Sequence, residues 1–538
     1  MTTRSFLCAV VLTGWMATTA AAAPAPDPAT PAEPGIAWLH AANDTDVDAA
    51  FVRARSQGQP LFLYWGAAWC PPCNQVKATL FNRADFIERS RAFVPVYIDG
   101  DSPGAQKLGA RFKVRGYPTM LLFDARGVEL TRLPGEVDPQ LYTQLLTLGM
   151  NAQRPVKDVL AAVRNGDQRG DPGLTENDWK LLAFYSWETD ESQVVPAAGV
   201  PALLKQLAQA CPPAYAETAM RLQLKALAAV DAAKARAPET TALPRVLALL
   251  ADPARARRHM DVLTNNAAEL VRALSARGTP QRVRLLAAIN TALTQLAADA
   301  TLSRADRLTA VYARVDLVRI DVPEAAATAI KGHKALSGPA IPPALLAELR
   351  AHAARADRDI TDGYERQAVI TTAAYALAHA GLGAESDALL QANLAKSHSP
   401  YYLMSSLASN AKQRGDTAAA LRWSQQAFDT SEGPATRLQW GASHVATLIE
   451  LAPRDEARIE QTVLQLWALA EAQPDAFFER SGRSLQRVGS RLAGWNKGSA
   501  HPAVLARLKA RLDAVCARLG AGDPQRESCR SVLAAAPT

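Results

Sequence analysis

Strand-like and helix-like apolar patterns alternate between residues 36 and 150. The central feature is an unbroken apolar run over 61–66, which predicts a strand buried on both faces. The order of elements, a βαβ unit followed by a hairpin and a last helix, predicts an α/β segment with a mixed sheet between two helical layers. The predicted strands are 36–39, 61–66, 93–98, 119–123 and 128–133, and the predicted helices are 44–58, one after residue 73 that includes residues 76–87, 105–112 and one from 138.

Beyond residue 150 the strand patterns disappear and helical spacing recurs between short Pro-, Gly- and Asp-containing breaks. This predicts an all-α region over 151–538, built as a solenoid of antiparallel helix pairs. The clearest helical patterns are 156–163, 179–187, 200–210, 215–229, 243–250, 266–274, 283–296, 304–317 and 345–352.

Part of the helical region has an internal period. Two sets of small residues are related by a constant offset of 32, and the proline that closes each set follows with a two-residue slip. Over about 370–435 the pattern resembles tetratricopeptide repeats, and a generic helical array is the alternative. Either arrangement presents a concave surface that suits a protein partner. The matched positions are Gly383, Ala388, Ala395 and Pro400, and then Gly415, Ala420, Ala427 and Pro434.

The first residues have the features of an export signal. Arg4 precedes an apolar stretch over 6–17 and a run of alanines that ends at Ala23, which predicts a secretory signal peptide over 1–23. An uncleaved membrane anchor is the alternative, and the short apolar core argues against it. A Pro/Ala-rich linker is predicted over 24–35. We therefore expect an exported protein, periplasmic in a Gram-negative host, without stable membrane insertion.

Composition excludes some classes of function. The 538 residues are 49% hydrophobic and 21% charged, and the net charge is +7, so we expect a folded protein of two or more domains. The most basic cluster, over 255–259, is interpreted as a solvated helix face, and no nucleic-acid partner is expected. No phosphate-binding loop or nucleophile elbow occurs, so neither nucleotide binding nor serine hydrolase chemistry is expected, and no cofactor is expected.

Cys70 and Cys73 lie two residues apart behind Trp69, at the point where the buried strand ends and a helix begins. A thiol at a helix N-terminus loses its proton more easily, so Cys70 is predicted to attack a disulfide and Cys73 to resolve the mixed disulfide. A structural bridge and half of a zinc site are the alternatives. No second ligand pair follows at zinc spacing and the eight histidines are scattered, so no metal is expected.

Residues 36–150 resemble the thioredoxin-fold family. The resemblance rests on Trp69-Cys-Pro-Pro-Cys73, on the later segment Val-Arg-Gly-Tyr-Pro-Thr over 114–119, and on the order of the elements between them. It implies a redox-active Cys70–Cys73 disulfide and a cis proline at Pro118 that faces the cysteines. It also implies a substrate-binding set that consists of Trp69, Tyr117, Pro118 and Thr119.

One departure from the family pattern concerns proton transfer. Thioredoxins typically carry a buried acidic residue in the strand before the motif and a lysine on the next strand. Here the matching positions are Tyr64 and Pro95, and no Asp or Glu lies between Pro60 and Cys70. The sequence therefore assigns no proton acceptor to Cys73.

Three further cysteines lie in the helical region. Cys516 and Cys529 flank a Gly-rich loop over 520–524 and are expected to form a structural disulfide. A second redox centre that relays electrons to Cys73 is the alternative. Cys211 is interpreted as a small buried apolar side chain.

Together these features predict an exported thiol–disulfide oxidoreductase, closer to a reductase or isomerase than to a strong oxidant. We expect it to act on protein thiols or disulfides with a separate redox partner, while the helical region selects protein partners. The alternative is a binding, scaffold or chaperone-like protein in which the thioredoxin-like domain is an adaptor with little turnover.

Overall fold

The structure is a computed structural model that describes residues 35–135, 137–165, 173–190, 193–230, 238–322 and 340–534. The signal peptide predicted over 1–23 lies outside these residues, and so does the predicted linker except for Gly35. Residues Ile36–Thr538 form one compact unit, which contains both the sheet and the helices described below.

The sheet-containing segment follows the predicted order of elements. Its strands are β1 (Leu39–His40), β2 (Leu61–Gly66), β3 (Val94–Asp99), β4 (Thr119–Phe123) and β5 (Glu129–Leu133). Its helices are α1 (Asp44–Gln57), α2 (Pro71–Val76), α3 (Ala84–Ser90), α4 (Ala105–Phe112) and α5 (Pro139–Met150), and one π-helical turn, Lys77–Phe81, extends α2.

The predicted helix after the cysteine motif is divided in two, which corrects the sequence-based assignment. Arg83 has an extended backbone, with φ −78° and ψ 134°, so α2 with its π turn ends before α3 begins. Val76, Leu80 and Phe86 nevertheless all face the same core. The apolar spacing therefore predicted correctly which side chains are buried, but the prediction of one continuous helix was wrong.

Five strands form one mixed sheet in the described part of the chain, in the order β1-β3-β2-β4-β5. Strand β2 lies in the middle, parallel to β3 and antiparallel to β4. Its odd residues, such as Leu63 and Trp65, pack with α1 and α4, and its even residues, Phe62 and Tyr64, pack with α2 and α5. Both faces are covered, which explains the unbroken apolar run and confirms the predicted α/β fold.

Beyond Met150 the described residues contain helices and no strand, so the predicted all-α region is confirmed. These helices are α6 (Val156–Asn165), α7 (Glu176–Ala183), α8 (Val200–Ala210), α9 (Ala216–Ala228), α10 (Leu243–Leu250), α11 (Pro253–Arg258), α12 (Met260–Asn265), α13 (Ala267–Leu274), α14 (Pro280–Ala298), α15 (Arg304–Val318), α16 (Pro343–Asp359), α17 (Gly363–His379), α18 (Gly383–Asn393), α19 (Pro400–Gln413), α20 (Thr417–Asp429), α21 (Pro434–Leu451), α22 (Glu456–Glu471), α23 (Glu479–Trp495), α24 (Pro502–Ala517) and α25 (Gln525–Ser531).

Two apolar cores hold most of these helices together. One consists of buried residues between Met220 and Ala380, and the other of buried residues between Phe428 and Leu533. Cys516 and Cys529 lie in the second core and form a disulfide that joins α24 to α25, with their Cα atoms 5.8 Å apart.

The 32-residue period does not place matched residues in matched environments. Ala420 and Ala427 are buried in α20, whereas Ala388 and Ala395 are exposed. The two prolines do share a role, because Pro400 and Pro434 each begin a helix. The tetratricopeptide-like repeat stays a prediction.

The C-terminal helices dock against the loop after β3 and the start of α4. Asp101 accepts hydrogen bonds from the backbone nitrogen of Thr436 at 2.7 Å and from a terminal guanidinium nitrogen of Arg480 at 2.9 Å. The Gln106 side-chain oxygen accepts from the Arg480 backbone nitrogen at 2.8 Å, and its own backbone nitrogen donates to Asp475 at 2.9 Å. This contact, called the Asp101–Arg480 seam below, fixes α21 and α23 beside the cysteine motif.

Gly489 provides a test of the packing of α23, the helix that carries Arg480. A Cβ built on Gly489 would lie 1.7 Å from the backbone oxygen of Val532, whereas one on Gly494 in the same helix would meet nothing within 4 Å. We expect Gly489→Ala to lower the free energy of unfolding by about 1–3 kcal/mol, measured by thermal and denaturant unfolding. Gly494→Ala is the matched control and should be neutral or stabilising. Equal effects of the two variants would contradict the packing.

Candidate functional site

The cysteine motif lies where β2 ends and α2 begins. Cys70 is the residue before α2, and its sulfur accepts a hydrogen bond from the Cys73 backbone nitrogen at 3.3 Å. Pro71 and Pro72 occupy the first turn, where a missing N–H costs nothing. The Asn74 side chain donates to the Cys70 carbonyl oxygen at 2.9 Å and holds the turn. Both cysteines are unbridged, with Cys70 3% and Cys73 0% exposed.

The segment around Pro118 forms the wall opposite Cys70. The Tyr117–Pro118 peptide bond is cis, and the Cys70 thiol donates to the Tyr117 carbonyl oxygen at 3.7 Å. Thr119 is buried and its hydroxyl donates to the Gly116 carbonyl oxygen at 2.9 Å. The structure thus brings Cys70, Tyr117 and Pro118 together, while the Thr119 side chain is used locally.

Aromatic residues of the helical region cover the motif. Tyr402 of α19 stacks on the Trp69 ring, with centroids 5.9 Å apart and an interplanar angle of 18°, and Trp440 of α21 meets it edge-on at 5.1 Å. Tyr117 contacts the Trp69 ring at 6.4 Å. We call Trp69, Tyr117, Tyr402 and Trp440 the aromatic cover.

Polar contacts attach the backbone just before Cys70 to two further parts of the helical region. The Gln367 side chain of α17 donates to the Trp69 carbonyl oxygen at 3.4 Å, and the ring nitrogen Nε2 of His398 lies 3.0 Å from the Ala68 carbonyl oxygen. Residues of the helical region therefore line the site directly.

Burial dominates the electrostatics of Cys70. Loss of solvent raises the pKa of the Cys70 thiol, and the adjacent Cys73 sulfur raises it further. The Cys73 backbone N–H and the Arg480 charge act in the opposite direction. The sequence led us to expect a thiol that ionises easily. That expectation is wrong for the covered site, because the helical region excludes the water that would solvate a thiolate.

Tyr64 occupies the position where a buried acid was missing from the sequence. Its side chain is 1% exposed, and its hydroxyl has no hydrogen-bond partner of good geometry among the described residues. Burial raises the pKa of Tyr64 well above its ordinary value, and the neighbouring Cys73 adds to the effect. Tyr64 therefore stays protonated and cannot accept a proton from Cys73.

Sequence reasoning missed the site residues of the helical region, namely Gln367, His398, Tyr402, Trp440 and Arg480. They lie about 300 to 400 positions beyond the cysteines in the chain, four of them in helices and His398 in the turn before α19, and no local pattern marks them. The one available signal was Gln106, a polar residue at a buried position of α4. Its side chain donates to the Gly100 carbonyl oxygen at 2.7 Å and to the Tyr117 hydroxyl at 3.2 Å.

Comparison with known proteins agrees with this geometry. Residues 47–149 match the thioredoxin-like domain family. The chain is also similar to proteins named thiol:disulfide interchange protein DsbD. It is 31% identical over 103 residues to that of Pseudomonas sp. (strain JR1 / K1), covering 18% of each chain. It is 30% identical over 115 residues to DsbD 1 of Pseudomonas aeruginosa (strain PAO1), covering 21% of this chain and 19% of the relative.

These matches cover about a fifth of the chain, and the family match lies in its N-terminal part. The chain spans about a fifth of the length of the curated relatives it matches. It contains a thioredoxin-like domain, and the family match ends at residue 149, before the helices that follow. Among the described residues, no helix is both long enough and apolar enough to cross a membrane.

Removing one ring of the aromatic cover should expose Cys70. We expect Tyr402→Ala to speed alkylation of Cys70 by iodoacetamide roughly fivefold, because an aromatic contact contributes about 1 kcal/mol. Peptide mass spectrometry of the reduced chain distinguishes Cys70 from Cys73 and Cys211. Tyr375→Ala, at a tyrosine that is 62% exposed and contacts Tyr312, should have no effect. Equal rates in wild type and Tyr402→Ala would show that Tyr402 does not limit access.

The raised pKa of Cys70 also predicts a pH profile. A raised pKa leaves the thiol protonated at neutral pH, so the alkylation rate should still be rising at about pH 9.5, where a small free thiol is nearly fully ionised. Circular dichroism at each pH verifies that the chain stays folded. If the alkylation rate already levels off below that pH, burial is not the main influence on the pKa of Cys70.

Proposed function

We propose that this protein is a thiol–disulfide oxidoreductase that exchanges disulfides through Cys70 and Cys73. The observation that carries the proposal is the geometry around Cys70. Its sulfur lies within 3.7 Å of the Tyr117 carbonyl oxygen, and it accepts from the backbone nitrogen of Cys73, one helical turn away. A purely structural bridge needs no such opposing wall.

The proposed reaction proceeds in two exchanges. The Cys70 thiolate attacks one sulfur of a substrate disulfide, so that a mixed disulfide forms and the other substrate sulfur leaves as a thiolate that takes up a proton. Cys73 then loses its proton and attacks the Cys70 sulfur, which forms the Cys70–Cys73 disulfide and releases the second substrate thiol. A thiol-bearing redox partner must reduce this disulfide again. The reverse sequence would oxidise a substrate dithiol.

We infer that protein substrates enter between the sheet and the helical region. The Tyr117–Pro118 backbone would pair with an extended substrate chain as an added strand, and Trp69 and Tyr402 would contact its side chains. Because these rings belong to different parts of the chain, the helical region would select substrates through the wall it provides. Binding of a further protein partner by the helical region is part of the same proposal.

A reductase or isomerase-like role is favoured over that of a strong oxidant. Strong oxidants of this chemistry have a strongly stabilised thiolate in the reduced state. Here the motif has prolines and no histidine between its cysteines, and burial raises the pKa of Cys70. Both features argue against such stabilisation.

Export is part of the proposal. It rests on the charged start, short apolar core and small residues of the first 23 positions. The disulfide between Cys516 and Cys529 is of the kind found in oxidising compartments such as the periplasm.

The burial of Cys70 also favours a second candidate. A binding, scaffold or chaperone-like protein could retain the fold and use the helical surface, with little turnover at a covered thiol. This candidate predicts partners that bind without covalent capture.

Trapping separates the two functions. Cys73→Ala should accumulate mixed disulfides through Cys70, because the resolving thiol is gone, while Cys70→Ala should accumulate none. Non-reducing gels of cells that express the full chain, with mass spectrometry of the linked peptides, give the measurement. Reduced wild-type protein should also reduce insulin disulfides, and Cys70→Ala should not. If no mixed disulfide forms and insulin is not reduced, the proposed oxidoreductase function is overturned.

A further inference from the structure

Arg480 brings a buried cation to the redox site from helix α23. Its side chain is only 9% exposed. The guanidinium carbon lies 5.1 Å from the centre of the Trp69 ring and 5.2 Å from that of the Tyr117 ring. These two residues flank Cys70, one in sequence and one across the site. The cation is therefore placed over both aromatic walls that enclose the reactive sulfur.

Only part of this guanidinium is satisfied. The terminal nitrogen Nη2 donates to Asp101 at 2.9 Å and to the Thr436 hydroxyl at 3.0 Å. The other two nitrogens, Nε and Nη1, are buried and have no hydrogen-bond partner in the described structure. Buried guanidinium N–H groups are normally paired. Two that are not leave the guanidinium with donors for a negatively charged neighbour.

We propose that Arg480 is the electrostatic partner of Cys70. Its positive charge stabilises the Cys70 thiolate that attacks or leaves during disulfide exchange. The inference rests on the proposed function and deepens it. It gives the helical region a role in the chemistry in addition to substrate selection.

The physical basis is the dryness of the site. A charge interaction is stronger where water is excluded, and the thiolate is the form that burial penalises most. An arginine stays charged at every relevant pH, so it can offset that penalty. Arg480 also lowers the pKa of Cys70 against the larger effect of burial. The ionisable groups around Cys70 in the described structure include Cys73 on α2, Tyr64 on β2, Tyr117 before β4, Tyr402 on α19 and Arg480 on α23, with Asp101 beside Arg480. His398 also approaches the motif, with its ring nitrogen Nε2 3.0 Å from the Ala68 carbonyl oxygen.

The proposal makes a prediction opposite to that of a purely structural role. If Arg480 only held the Asp101–Arg480 seam, its loss would open the site, admit water and make Cys70 easier to ionise. If Arg480 stabilises the thiolate, its loss should make Cys70 harder to ionise. The direction of the pKa change therefore separates the two roles.

The test uses the full chain in the Cys73→Ala background, so that Cys70 is the thiol observed in the motif. The pH dependence of Cys70 alkylation gives its pKa, with peptide mass spectrometry to exclude Cys211. We expect Arg480→Gln to raise the pKa of Cys70 and slow alkylation about tenfold at a fixed pH below that pKa. Arg480→Lys should restore part of the rate. Arg491→Gln, at an exposed position of the same helix, is the matched control. It should leave the pKa and the alkylation rate of Cys70 as they are in the Cys73→Ala parent.

A second readout does not depend on how open the site is. An arginine near Cys70 should attract negatively charged iodoacetate more than neutral iodoacetamide, so the ratio of the two rates reports the local charge. Arg480→Gln should lower this ratio several-fold, whereas opening of the site affects both reagents alike. If Arg480→Gln does not fold, Asp101→Asn decides the question. It removes the counter-charge, and the ratio should then rise.

An unchanged or lowered pKa of Cys70 in folded Arg480→Gln would overturn the proposal, as would an unchanged reagent ratio. Alkylation does not depend on substrate turnover. Failure of this proposal is therefore distinguishable from failure of the oxidoreductase function, which would appear as absent mixed disulfides and absent insulin reduction.

Discussion

The packing of Trp69 against the helical region is the contact on which the rest of the site depends. Tyr402 and Trp440 enclose its ring, and the Asp101–Arg480 seam holds α21, the helix of Trp440, in place. As a result the reactive sulfur of Cys70 loses almost all contact with water. Burial then controls its ionisation, its access to substrate and the importance of any nearby charge.

This arrangement places two opposing effects on one atom. The N-terminus of α2 and the guanidinium of Arg480 favour a thiolate, whereas desolvation and the Cys73 sulfur disfavour it. Desolvation is the largest of these effects, so the Cys70 thiol stays protonated while the aromatic cover is in place. A substrate that displaces the aromatic cover would change the balance at the moment of reaction. Access and reactivity are thus coupled through the same few side chains.

Local patterns predicted the elements well and the site only in part. The bounds predicted for β2, α4, β4, α8 and α10 coincide with those observed, because the apolar period and the flanking turn residues specify such elements locally. The motif and its opposing wall were also visible, since each is a contiguous segment. The contacts of Tyr402, Trp440 and Arg480 were not, because packing between residues more than 300 positions apart leaves no trace in a single sequence. The easily ionised thiol was predicted wrongly for the same reason.

The most direct test of this account is a crystal structure of the full chain with the cysteines reduced. The account predicts a buried Cys70, the Trp69 ring stacked on Tyr402, and the Arg480 guanidinium above both Trp69 and Tyr117. A structure in which α19 and α23 lie away from the motif and Cys70 faces solvent would contradict it.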